Sequence, residues 1–87
     1  MEPLISPAKE WLNKRGLSVK WLAERLTREG VTVKAAYLSQ IIIGYRAPGR
    51  AIATAIARIC DGVSVDALYR FKEEVDARRE PAGGAAA

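Results

Sequence analysis

The side chains that could do covalent or acid–base chemistry here lack the partners such chemistry needs. Ser39 has no histidine, and no lysine at motif spacing, to take its proton. The 87-residue sequence contains no histidine, which removes imidazole catalysis, His-ligated zinc and His-based pH sensing. Cys60 is the single cysteine, so neither an internal disulfide nor a thiolate zinc site can form, and a small core residue is expected. Glu73, Glu74 and Asp76 read as a charged, solvated helix face. Trp11 and Trp21 fall at helical spacing and are expected to pack. Neither an enzyme nor a cofactor-bearing protein is expected. What remains is recognition chemistry: the Gln40 amide, the Tyr37 and Tyr45 phenols, the Arg46 and Arg50 guanidiniums and the Lys20 and Lys34 ammoniums crowd one stretch of chain.

Charge is concentrated in that stretch. The net charge is +4, but residues 14–50 hold eight cations against two acids, while the segments on either side each carry −1. A localised cationic surface without aromatic stacking platforms suits a polyanion such as duplex DNA. Arg25 and Arg28 are partly offset, because they can balance Glu24 and Glu29 within one helix.

Five short helices must position these groups. Ser6-Pro7 fits an N-cap followed by proline, opening helix 1, which stops near Gly16. Ser18 caps helix 2, whose Val19, Leu22, Ala23 and Leu26 form an apolar stripe of helical period ending at Gly30. Val31-Thr32 reads as a short turn. Helix 3 starts between Thr32 and Lys34, with Thr32 the better cap by chemistry. Ala35, Leu38, Ile41 and Ile42 share its inward face, and Gly44 closes it. Pro48 opens helix 4, with Ile52, Ala55, Ile56 and Ile59 inward, and Gly62 ends it. Ser64 caps helix 5, whose apolar positions cover more than one stripe. No period-2 alternation or hairpin dipeptide suggests a sheet. The expectation is a compact all-α domain over residues 1–79, followed by a disordered tail over 80–87 too poor in large apolar groups to pack.

Helix 2, the turn and helix 3 have the layout of a helix-turn-helix, in which one helix braces on the backbone and the next enters the major groove. Leu17-Ser18, Leu22-Ala23, Tyr37-Leu38-Ser39-Gln40-Ile41, Gly44-Tyr45-Arg46, Pro48, Ile56-Ala57 and Val63-Ser64-Val65-Asp66-Ala67-Leu68 occur in the order and near spacing of a known pattern. Over residues 6–70 the chain resembles the phage-repressor (lambda-repressor-like, Xre-type) helix-turn-helix family. The resemblance implies a five-helix domain that binds double-stranded DNA sequence-specifically. It implies phosphate contacts from Ser18 and Lys20, base reading from Ala35, Ala36, Tyr37 and Gln40, and a phosphate grip from Tyr45 and Arg46, which Arg50 extends. Lys34 is placed to hold a phosphate or to snorkel from the buried side. Gln40 has the geometry to bond adenine N6 and N7. The chain departs from the family in a longer stretch between Leu22-Ala23 and Ser39, which implies a longer helix 2. It also has Ile42 and Ile43 where members usually carry polar groups, and an extra Asp61 before Gly62.

Ile42, Ile43, Phe71 and Val75 point beyond the usual core, so they are expected to form a dimer or partner surface, unless a longer helix 5 folds back over them. The resulting expectation is a dimeric repressor of phage or bacterial type that occupies an inverted-repeat operator. The rival reading is an antitoxin, or another protein-interaction module on the same fold, with a toxin or regulatory protein as partner. No cofactor or metal is expected. The lone cysteine and the absence of a spanning segment or export signal make a cytoplasmic address the expectation.

Overall fold

Serine side chains open three of the five helices. In the computed structural model, which describes residues 4–86 and side chains through Arg79, α1 spans Pro7–Lys14, α2 Val19–Arg28, α3 Ala35–Ile42, α4 Arg50–Ile59 and α5 Val65–Ala86. Ser6 Oγ accepts from the Lys9 amide at 3.3 Å, Ser18 Oγ from Trp21 at 3.1 Å and Ser64 Oγ from Ala67 at 3.0 Å. Each bond satisfies an amide that the helix itself leaves open. The chain is an all-α, five-helix domain, with no strand among the described residues.

The start of α3 lies at the late end of the expected range, away from the better capping residue Thr32. Its N-cap is Lys34, which makes no side-chain capping bond, and Thr32 lies outside the helix. The cause is burial. Val31 and Val33, two residues apart in non-helical chain, both pack against the core while Thr32 and Lys34 face water. Alternation of this kind needs extended backbone, and it postpones the helix. The connection is therefore longer than the short turn expected at Val31-Thr32. As the sequence implied, α2 runs on to Arg28, with Glu29 as its C-cap. The α4 start also shifts: Gly49 is its N-cap and Pro48 is buried just before it.

The core is built from one face of each helix. Leu12, Leu22, Leu26, Leu38, Ile56 and Cys60 are its largest fully buried side chains. Burying each leucine is worth about 1.5–3 kcal/mol. Ala23, buried on α2, lines the groove between α2 and α3. Trp11 and Trp21 stack across the α1–α2 seam with ring centroids 6.2 Å apart, and both pack on the core as expected.

Helix α5 folds back, packs on α4 and α1, and takes up the apolar surface expected for a partner. Ile42 is 3% exposed, Phe71 9% and Val75 9%, so these three are internal and only Ile43, at 46%, stands out to solvent. The stripe responsible is Leu68, Phe71 and Val75, at i, i+3 and i+7. The tail over 80–87, expected to be disordered, continues α5 as helical backbone through Ala86, while its side chains and residue 87 lie outside the described residues.

Candidate nucleic-acid interface

Three buried side chains decide which face α3 shows to solvent. Leu38, Ile41 and Ile42 turn inward, so Ala36, Tyr37, Gln40 and Ile43 are exposed. Ala36, Gln40 and Ile43 follow one another at i, i+4 and i+7, along a single line of the helix. Of the residues expected to read bases, Ala36, Tyr37 and Gln40 share this outer face. Ala35 does not: it is half-buried and helps line an open groove of about 530 Å³ between α2 and α3, together with Lys20, Glu24, Arg28 and Val33. Ile43, expected at a partner surface, is exposed and continues the outer line of α3 from its C-cap position.

The end of α3 brings Arg46 back onto this face. Gly44 adopts φ +90°, the left-handed conformation that L side chains avoid. The Tyr45 amide then donates to the Gln40 carbonyl at 2.9 Å and the Gly44 amide to the Ile41 carbonyl at 3.1 Å, the paired bonds of a Schellman motif. The Arg46 amide shares the Gln40 carbonyl at 3.2 Å. With its backbone held there, Arg46 donates from Nε to Gln40 Oε1 at 2.5 Å and places its guanidinium 5.3 Å from the Tyr37 ring centre. Tyr37, Gln40 and Arg46, singled out separately in the sequence, thus form one cluster. Sequence reasoning missed the mutual contact, although the glycine four residues after Gln40 signalled the turn that produces it.

The same turn is supported from behind. A Cβ added at Gly44 would lie 2.6 Å from Val75 Cγ2 of α5, so the helix packs directly on the glycine. Tyr45 is exposed, and the guanidinium of Arg79, also on α5, sits 4.9 Å from its ring centre.

Acidic side chains divide the cations into two sets. Glu29 takes Arg25 at 3.0 Å and Arg58 at 3.3 Å, and Glu10 takes Lys14 at 3.6 Å. Asp66 and Asp76 take Arg70 and Lys72 on α5. Lys20, Arg28, Lys34, Arg46 and Arg50 are exposed, and among the described residues no carboxylate lies within ion-pair distance of them. Lys20 stands at the second residue of α2, Lys34 caps α3 and Arg50 begins α4. Ser18 Oγ is engaged as an acceptor at the head of α2, which leaves its hydroxyl proton free to donate outward.

Elsewhere the groups are quiet. Cys60 is fully buried, and burial pushes its thiol up to about 11 against a smaller opposing pull from the Arg15 charge, so no reactive thiolate is present near neutral pH. The Arg15 guanidinium lies 4.0 Å from the Trp11 ring centre. Among the described residues no helix is long and apolar enough to cross a membrane.

Comparison of the chain with known protein families, with curated proteins and with solved structures finds no match. Function must therefore be argued from the groups that α3 and its flanks present.

Proposed function

We propose that the chain is a sequence-specific double-stranded DNA-binding regulator with a lambda-repressor-like helix-turn-helix arrangement, in which α3 enters the major groove. One observation carries this reading. Among the described residues, Lys20, Arg28, Lys34, Arg46 and Arg50 are exposed without an acidic partner, as are Lys9 and Arg15 at α1, and the first five lie on or beside α2, α3 and the α3–α4 loop, around an α3 face that presents Ala36, Tyr37 and Gln40. Duplex phosphates neutralise such cations, while a groove about 12 Å wide admits one helix and exposes base edges to it. In this reading Ser18, Lys20, Lys34, Tyr45 and Arg50 hold phosphates, Arg28 adds charge beside the α2–α3 groove, and Ala36, Tyr37, Gln40 and Arg46 meet the bases.

One such helix reaches few base pairs, so specific binding calls for two chains on half-sites about 34 Å apart, related by a two-fold axis. Binding of that kind would repress by occupying an operator. The address in this reading is cytoplasmic, where DNA is met directly. Of the apolar residues on which an antitoxin reading would rest, Ile42, Phe71 and Val75 are buried and Ile43 alone is exposed, and no observation favours that reading.

Fluorescence anisotropy of a labelled mixed-sequence duplex at low salt tests the proposal. Binding that strengthens on selected duplexes, with two chains per site, is expected. A chain that leaves mixed duplex unbound at low salt is not a DNA-binding protein.

A further inference from the structure

Resting on that duplex reading, we infer that Arg46 is the base-reading group, that it reads guanine, and that Gln40 and Tyr37 act as its positioning residues. A phosphate contact asks only that a cation be near. Arg46 is instead held at two points. Its Nε donates to Gln40 Oε1 at 2.5 Å, and its guanidinium lies over the Tyr37 ring at 5.3 Å. Both partners stand on the exposed face of α3, so the guanidinium lies on the surface that would enter the groove. A planar group fixed through Nε and one face keeps Nη1 and Nη2 as a two-pronged donor, and no other described group lies within hydrogen-bond distance of them. Guanine presents two acceptors, O6 and N7, side by side on its major-groove edge.

The same bond removes adenine from consideration. Adenine pairs with a glutamine that offers Oε1 to the N6 amino group and Nε2 to N7. In this chain Oε1 faces a cation, and an amino group brought to it would meet a guanidinium. Gln40 and Arg46 together offer outward donors, Nε2 of one and Nη1 and Nη2 of the other, which suits a base edge made of acceptors. Ordering the exposed arginine before binding also lessens the freedom it loses on contact.

The experiment begins with selection of bound duplexes from a random library. It then compares affinities for the selected duplex, for one with the implicated G·C pair changed to A·T, and for one carrying 7-deazaguanine. Wild type should favour guanine by about tenfold or more and lose that margin with 7-deazaguanine, which lacks the N7 acceptor. Arg46→Ala should abolish the preference and Arg46→Lys should reduce it, since lysine keeps the charge and can reach O6 or N7 but loses the fork held by Gln40. Gln40→Ala should reduce it, and Gln40→Glu should retain guanine because a carboxylate still accepts from Nε. The inference is overturned if the selected base is adenine and Gln40→Glu moves the preference to cytosine. It is equally overturned if Arg46→Ala weakens all duplexes alike and Arg46→Lys restores them, the behaviour of a phosphate contact. Absence of binding to every duplex at low salt removes the proposed function itself, a result distinct from either of these.

Discussion

Cys60 couples the core to protons, since its thiol is favoured in the folded chain and its thiolate in the unfolded one. The ordinary value of 9.0 is raised to about 11 by burial. A raised value means that the stabilisation is complete below pH 9 and disappears as pH climbs toward 11. The loss is on the order of 2 kcal/mol. Chemical denaturation of wild type and Cys60→Ala at pH 8 and pH 11 should show a smaller decline in the variant, and equal declines would refute the linkage. Cys60 was legible from its type, as a lone cysteine expected in the core. Gln40, Tyr37 and Arg46 were also legible singly, from side-chain chemistry and helical angle. Their contact was not, because it depends on how the chain turns after Ile43.

That turn belongs to the scale of elements. α3 ends in a left-handed glycine with α5 pressed against it, so Gly44→Ala meets both a strained backbone and the Val75 side chain. The two penalties together come to about 2–4 kcal/mol. In a domain of this size the melting temperature should fall by about 10–20 °C. Adding Val75→Ala should remove the contact part, so that the double variant loses less than the two single losses combined; strict additivity would show that α5 does not bear on the glycine. Helix boundaries were legible where local chemistry sets them, as at Ser6, Ser18, Ser64 and Gly44. They were not legible where packing overrides a local preference. Thr32 is the better capping residue, yet insertion of Val31 and Val33 into the core moves the α3 start to Lys34. The fate of Ile42, Phe71 and Val75 was hidden for a related reason. Only the path of α5 reveals that they cover one another's side of the domain and not a partner's.

At the scale of the whole molecule, the decisive property is where charge goes unanswered. Acids accompany Arg25, Arg58, Arg70 and Lys72, but not Lys20, Arg28, Lys34, Arg46 and Arg50. If each of the latter except Arg46, which is engaged with a base, displaces a counterion, log K against log salt should fall with a slope of about −3.6 per chain. Arg50→Ala should flatten it by about one, whereas Arg58→Ala should leave it in place. A slope that both variants change equally would mean that the acidic partners do not sort the cations. The composition alone showed the excess on residues 14–50, but not which members of it are free, because Glu29 reaches a helix distant in sequence. Lys34 adds a further consequence. A positive residue stands where a serine or asparagine would have closed the end of α3, and the amides of its opening turn are left to water. The segment best placed to touch a ligand is thereby also one whose first hydrogen bonds come apart readily.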